Sequence, residues 1–119
     1  MVSFIALISF SYAVEVGERA PQFKLSTVDQ EQHSLEQYAG KTIVLEWFNP
    51  GCPFVKYVHG EGKMKASAEK AASTDVVWLA INSSAPGKQG AEPQENKAAI
   101  KQWSIPYPIL LDQDGTVGK

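Results

Sequence analysis

The most informative segment of this 119-residue chain is TIVLEWFNPGCPFVKY, Thr42–Tyr57. It begins with a nearly continuous apolar run, Thr42–Phe48, which is typical of a central parallel strand covered on both faces. Residues 49–51, Asn-Pro-Gly, then break the strand. From Pro53 the pattern becomes helical, since proline fits the first helical position, where its missing N–H costs nothing. The stretch therefore predicts a strand, a sharp turn and a helix.

Strands and helices alternate through the rest of the chain, which predicts an α/β domain with a parallel sheet. The other predicted elements are a strand (Gln22–Leu25), a helical turn (Ser34–Tyr38), a helix from Pro53 to about Ala72 that glycines 60 and 62 weaken and can kink or split, a strand (Asp75–Ile81), a helix (Pro93–Trp103) and a strand (Pro108–Leu111). Functional groups in such sheets gather where loops leave the carboxyl ends of the strands. We therefore expect residues 49–52 and the loop that starts at Asn82 to share one rim.

The two ends of the chain carry signals of another kind. Residues 1–13, MVSFIALISFSYA, are apolar with small residues at 11 and 13, so we expect a secretory signal peptide cut after Ala13. An N-terminal strand and a misplaced start are the alternatives. A signal peptide would place the domain, residues 14–119, in the periplasm or outside the cell, where disulfides persist. Because the chain stops just after a turn, we expect the domain to continue beyond Lys119.

The charge pattern and residue spacing exclude several functions. The net charge is −2 with both signs scattered along the chain, so no basic stripe indicates nucleic-acid binding. No apolar run reaches the about 20 residues that a stable membrane span needs. The two histidines and the single cysteine lack the spacing of metal ligands. A phosphate-binding glycine motif is absent as well, and we expect no metal and no organic cofactor.

Cys52, the only cysteine, is the first candidate for chemistry. It falls at the predicted N-terminus of a helix, where the dipole and the free backbone N–H groups stabilise a thiolate, the reactive form of the side chain. Lys56, one turn further on, adds positive charge or simply points to water. The alternative is an inert buried cysteine. The position of Cys52 at a strand-to-helix turn favours the reactive interpretation.

Glu46 is the second candidate, because a carboxylate in a buried strand costs several kcal/mol unless it stays protonated or finds a partner. One interpretation is a carboxyl group with a raised pKa, held beneath the sulfur of Cys52, that moves protons during thiol chemistry. The other is a structural carboxylate with a lysine partner or access to water. We expect His59 to lie on the surface, because it would stand about 10 Å along the helix from the thiol.

Several motifs in order resemble the N-terminal half of the redoxins, the peroxiredoxin-like branch of the thioredoxin superfamily, which includes the alkyl hydroperoxide reductases. They are VGERAPQFKL, SLEQYAGK, NPGCPFVK and IKQWSIPYPILLDQDGTVGK, and the resemblance covers about Val16 to Lys119. It implies a thioredoxin-like three-layer α/β fold with a central mixed sheet. It also implies a reactive Cys52 that acts on peroxides or protein disulfides.

The resemblance also bears on single residues. Thioredoxins carry a buried acid six residues before their first active-site cysteine, and Glu46 matches that position. Their second cysteine would stand at Val55, so Cys52 has no local partner for a Cys-x-x-Cys disulfide. Peroxiredoxins place Thr or Ser where Asn49 stands, and their catalytic arginine would fall after Lys119. The choice between peroxidase and disulfide exchange therefore stays open.

We expect a thiol oxidoreductase with one reactive cysteine. Cys52 would attack a peroxide or a protein disulfide, and an external thiol would resolve the sulfenic acid or mixed disulfide that forms. Glu46 would manage the proton, and Asn49 would hydrogen-bond the sulfur or the substrate oxygen. The alternative is a non-catalytic thioredoxin-like binding module that holds a partner with the rim loop, Asn82 to Pro93.

Overall fold

The computed structural model describes residues 14–119, so the predicted signal peptide lies outside the described residues. Five strands form one mixed sheet in the order β2-β1-β5-β4-β3. The strands are β1 (Lys24–Thr27), β2 (Gln32–Ser34), β3 (Thr42–Trp47), β4 (Val76–Asn82) and β5 (Ile109–Leu111); the helices are α1 (Pro53–Gly60), α2 (Lys63–Ala72) and α3 (Pro93–Trp103), and a 3₁₀ helix (Leu35–Tyr38) precedes β3. The expected α/β fold with a mixed sheet is confirmed.

The register of the sheet brings the two rim segments together. β3 runs parallel to β4 with Trp47 opposite Ile81, and β4 runs parallel to β5. The Phe48 N–H donates to the Ile81 carbonyl at 2.8 Å, which extends this pairing one residue past β3. Because parallel strands end at the same edge, residues 49–52 meet the loop after Asn82, as predicted. β1 joins β5 and β2 in antiparallel pairs.

The core is divided between the two faces of the sheet because side chains alternate along β4. Leu79 and Ile81 face a cluster with Leu110, covered by the N-terminal segment and the 3₁₀ helix. Ala80 faces the other way, into a cluster with Phe48 and residues of α1 and α3. This second face carries the side chains that surround the thiol turn.

Local structure agrees with the sequence-based prediction at one point and differs from it at others. The segment from Pro53 to Ala72 is split into two helices, α1 and α2, as the two glycines indicate, since Gly62 adopts a left-handed conformation with φ of 72°. The three-residue strand β2 was not predicted, and β1 begins at Lys24 rather than Gln22. Strands this short carry too little periodicity to be recognised alone, and pairing with their neighbours defines them. No helix in residues 14–119 is long and apolar enough to span a membrane.

Candidate active site

Cys52 is the N-cap residue of α1. Its N–H donates to the Asn49 carbonyl at 3.0 Å, and its own carbonyl accepts the first helical hydrogen bond, from Lys56 N–H at 3.0 Å. Pro53 has no N–H, and the N–H groups of Phe54 and Val55 precede any helical acceptor. The side chain of Cys52 is half-buried and makes no capping hydrogen bond. The positive end of α1 is therefore available to a thiolate at this position.

Cys52 lines an open depression of about 590 Å³, which we call the thiol depression. One wall comes from the end of β3 and the start of α1, and the other comes from the loop after β4. Its lining residues include Trp47, Phe48, Asn49, Val55, Ser83, Ser84, Lys88 and Gln89. Two large aromatic side chains near the thiol face solvent, with Trp47 54% and Phe54 81% exposed. The depression thus combines an apolar border with a polar loop.

Asn49 holds the turn before the thiol. Its Oδ1 accepts the Gly51 N–H at 2.7 Å, and its Nδ2 donates to Ser84 Oγ and to the Gln89 carbonyl, each at 3.0 Å. A carboxamide has two N–H donors, and both are used here. Asn49 thereby joins the two rim segments, and the hydrogen bond from Asn49 to the sulfur or the substrate oxygen stays a prediction.

A buried amide network fixes the loop that faces Cys52. Asn82 and Asn96, both 2% exposed or less, lie beneath it. Asn82 Nδ2 donates to the Gly90 carbonyl at 2.8 Å and to Asn96 Oδ1 at 2.8 Å, and Asn96 Nδ2 donates to the same carbonyl at 2.9 Å. Since buried polar groups are costly unless hydrogen-bonded, this network stabilises the observed conformation of the loop.

Glu46 lies on the face of the sheet that α1 and α3 cover, and its side chain is 8% exposed. His59 Nε2 donates to Oε1 at 2.8 Å, while Trp78 Nε1 and the Tyr107 hydroxyl donate to Oε2 at 3.0 and 2.8 Å. Both carboxylate oxygens therefore have donors. Burial raises the pKa of Glu46, but the hydrogen bonds from His59, Tyr107 and Trp78 and the charge of His59 more than offset it, so the pKa lies below the usual glutamate value.

The expectation of a raised pKa for Glu46 is wrong, because three donors outweigh desolvation. Among the described residues the partners of Glu46 are His59, Trp78 and Tyr107 rather than a lysine, and the carboxylate is buried rather than open to solvent. The same contacts act on Tyr107, whose pKa is raised by burial, by its hydrogen bond to Glu46 and by the carboxylate charge. The carboxylate is thus held ionised, and the phenol is held protonated, across ordinary pH.

His59 was expected on the surface, and this expectation is also wrong, since the residue is 3% exposed. Its ring stacks on Trp103 with centroids 5.3 Å apart and meets Phe48 edge-on at 5.4 Å. The sequence did hold the signal: His59 falls four residues after Val55, which packs on the core, so both lie on the inner face of α1. The buried carboxylate of Glu46 on the neighbouring strand β3 requires a hydrogen-bond donor, and a residue on the inner face of α1 can supply it.

These features define a thioredoxin-like α/β protein that presents one cysteine at the rim of its sheet, where a helix begins. A family model for the redoxins matches residues 15–119, so the chain belongs to the redoxin family, as the motifs suggested.

Two kinds of relative were found. The chloroplastic peroxiredoxin Q of Gentiana triflora is 28% identical over 119 aligned residues, which span 97% of this chain and 49% of that protein. An uncharacterized conserved protein of Geobacillus kaustophilus has a crystal structure with a TM-score of 0.78 and 28% identity, covering 87% of this chain and 56% of that one.

A secreted disulfide oxidoreductase of Mycobacterium tuberculosis has a TM-score of 0.63 and 21% identity, covering 81% of this chain and 64% of that one, a likeness of fold alone. The thioredoxin-like fold expected from the sequence is confirmed. The chain spans about half the length of the peroxiredoxin it matches.

Proposed function

We propose that this redoxin is a thiol-dependent peroxidase in which Cys52 reduces a hydroperoxide. One observation carries the proposal: the thiol stands at the N-terminus of α1, beside an open depression, with no capping hydrogen bond. The backbone N–H groups of the first turn favour the thiolate, which is the nucleophile in such reactions. The likeness to peroxiredoxin Q supports a peroxide as the oxidant.

The reaction needs only the thiol, the peroxide and an external thiol. The Cys52 thiolate attacks one peroxide oxygen, the O–O bond breaks, and the leaving alkoxide or hydroxide takes a proton. Cysteine becomes sulfenic acid while the peroxide is reduced to an alcohol or water. An external thiol then forms a mixed disulfide with release of water, and a second thiol returns Cys52 to the reduced state and leaves as disulfide.

In this proposal Glu46 and Asn49 are positioning residues that hold the two ends of α1 in place. Glu46, fixed as an anion, binds His59 near the C-terminal end of α1 and thereby sets the helix against the sheet. Asn49 sets the turn at the other end of the same helix. Together they fix where the first-turn N–H groups point, and misplacing such groups by a small distance weakens their effect on a developing charge.

Disulfide exchange with a protein substrate is the second candidate. The exposed Trp47 and Phe54 favour it, because solvent-facing aromatic side chains around a reactive group are typical of protein contact sites. Cys52 would then attack a substrate disulfide and form a mixed disulfide that an external thiol resolves.

The test is consumption of hydrogen peroxide, followed with dithiothreitol as the reducing thiol, for the chain and its Cys52→Ser variant. Turnover that disappears with Cys52→Ser supports the peroxidase. Turnover that survives the substitution removes the thiol mechanism. If peroxide is not consumed but a glutathione mixed disulfide forms at Cys52 and is resolved by thiol, the exchange reaction replaces the peroxidase. Absence of both reactions favours the non-catalytic binding module.

We also propose that the protein acts in the periplasm or outside the cell. The apolar residues 1–13 support this location. Mass spectrometry of the exported protein should find Val14 at its N-terminus, whereas a chain that keeps Met1 inside the cell would contradict the proposal.

A further inference from the structure

The Gln89 side chain lies against the backbone of the residue that precedes the thiol. If Gly51 carried a Cβ, that atom would stand 2.6 Å from Gln89 Cδ and 2.9 Å from Nε2, closer than side chains approach one another. Glycine at 51 therefore leaves the space that the Gln89 carboxamide occupies. Gly51 directly precedes Cys52, and Gln89 is itself among the residues that line the thiol depression, so the carboxamide stands at the edge of that depression.

The backbone that carries Gln89 is anchored on both sides. Its own carbonyl accepts Asn49 Nδ2 at 3.0 Å. The carbonyl of the next residue, Gly90, accepts from the buried amides of Asn82 and Asn96. A side chain on a backbone held this way has a fixed origin, so its length decides how far it reaches.

Gln89 borders two depressions. One is the thiol depression, and the other, of about 570 Å³, lies between α1 and α3. Lys56, Glu95, Gln102 and Trp103 are among the residues that line this second depression, which we call the interhelical groove. Cys52 lines the thiol depression but not the interhelical groove. The Gln89 side chain thus stands where the two spaces meet.

We propose that Gln89 is a specificity-determining residue that separates the thiol depression from the interhelical groove and so limits the size of the oxidant that reaches Cys52. This inference rests on the proposed function of Cys52. Shortening Gln89 to alanine would join the two spaces beside the sulfur. A bulky substrate would gain room in the groove, while a small one would gain nothing. Differences of one or a few carbon atoms in a pocket change selectivity by about 10-fold or more in favourable cases.

Alkylation of the single cysteine tests the separation without any need for turnover. The ratio of second-order rate constants for N-(1-pyrenyl)maleimide and N-ethylmaleimide compares a bulky with a small reagent of the same chemistry. We expect Gln89→Ala to raise this ratio severalfold. Gln102→Ala, the same change in a residue that lines only the groove, should leave it unaltered. An unchanged ratio in Gln89→Ala overturns the proposal.

A second variant separates bulk from hydrogen bonding. Gln89→Met keeps the length of the side chain and removes the amide. A wild-type ratio in Gln89→Met supports a steric role, whereas a ratio as high as in Gln89→Ala overturns it in favour of a polar one. Because Gln89 is exposed, these variants should keep the wild-type melting temperature.

Turnover then links the separation to substrates. Gln89→Ala should raise kcat/KM for cumene hydroperoxide severalfold relative to hydrogen peroxide. A parallel change for both peroxides counts against a role in size selection. If the wild-type chain reduces neither peroxide, the peroxidase proposal fails, and the maleimide ratio still decides whether Gln89 divides the two spaces.

Discussion

Glu46 and Cys52 stand six residues apart and are held in opposite ways. The Glu46 carboxylate is nearly inaccessible, and three donors fill both of its oxygens. The Cys52 side chain is half-buried beside an open depression and makes no capping hydrogen bond. A buried charge is tolerated only when its hydrogen-bonding capacity is met. A nucleophile, by contrast, has to keep its reactive atom accessible.

The difference indicates that the two residues have separate roles, with Glu46 acting mainly in stability and Cys52 in reactivity. The Glu46–His59 contact joins β3 to the far end of α1, and Asn49 ties the near end of that helix to the opposite loop. Stability should therefore depend strongly on Glu46 and weakly on Cys52, while reactivity should depend on Cys52 directly and on Glu46 only through the position of α1.

Replacement of the thiol should give the largest effect, on activity alone. Cys52→Ser should abolish peroxide consumption and mixed-disulfide formation, because a serine hydroxyl is not ionised near neutral pH and cannot be oxidised in the same way. The free energy of unfolding should change little, since the side chain makes no capping hydrogen bond. Urea unfolding followed by circular dichroism measures the second quantity. A large loss of stability would place Cys52 among the structural residues.

Replacement of the buried carboxylate should give the largest effect on stability. Glu46→Gln retains the shape but presents an amide N–H₂ to one of the three donors, so we expect a loss of about 3 kcal/mol in the free energy of unfolding. Glu61→Gln is the matched control, because it breaks a contact to Lys63 at 2.6 Å in which both side chains are exposed. That surface pair should contribute less than about 1 kcal/mol. Equal losses in the two variants would contradict a special role for Glu46.

Acid should reveal the same carboxylate through its lowered pKa. The unfolded chain has a Glu46 pKa near the ordinary 4.5, while the folded value is lower. On acidification the unfolded state therefore binds the proton first, and the stabilisation present above pH 4.5 is lost as the pH falls toward the folded pKa. Urea midpoints measured across this range should fall more steeply for the wild type than for Glu46→Gln. Parallel curves would show that Glu46 does not contribute.

Much of the fold and one part of the site could be predicted from the sequence. The helix Pro93–Trp103 has the predicted bounds because Pro93 fixes its start and its pattern is regular. Cys52 could be placed at a helix N-terminus because a strand, a turn and a proline follow one another around it. These signals are local, and local signals survive in a single sequence.

The contacts of Glu46 could not be predicted in the same way. Its donors lie 13, 32 and 61 residues away, on α1, on β4 and before β5. The residues that neighbour Glu46 in the sequence give no indication of these donors. Only the register of the sheet brings Trp78 and Tyr107 to the same carboxylate oxygen. The pKa therefore had the wrong expected direction, and His59 was assigned to the surface, for one reason: the deciding contacts are long-range.

Substitutions in the loop opposite the thiol should have a more moderate effect on the free energy of unfolding. Gly90 has a φ of 77°, and a Cβ there would lie 2.7 Å from Asn49 Cγ; Gly87 has a similar φ of 74° with nothing within 4 Å. Gly87→Ala should therefore cost only the backbone strain, about 1 kcal/mol. Gly90→Ala should cost more, about 2–3 kcal/mol, because it also displaces Asn49.

Thermal unfolding and iodoacetamide labelling of the two glycine variants separate the effects. Only Gly90→Ala should change the rate at which Cys52 is labelled, since Asn49 holds the turn before the thiol. If Gly87→Ala alters labelling equally, the contact between Gly90 and Asn49 is not what positions the turn.

The smallest effect should come from the exposed charge nearest the thiol along α1. Lys56 lies one turn after Cys52 and faces solvent, so its attraction for a thiolate is screened by water and salt. Lys56→Gln should lower the iodoacetamide rate constant less than twofold at low ionic strength, with no difference at about 1 M salt, where the Debye length is about 3 Å. Lys70→Gln, the same change at an exposed lysine on α2, serves as the control. The backbone N–H groups of the first turn of α1 adjoin the N-cap residue Cys52 and are part of the helix itself, so their contribution should persist at high salt. A large, salt-resistant loss in Lys56→Gln would instead assign the activation of Cys52 to the lysine rather than to the helix.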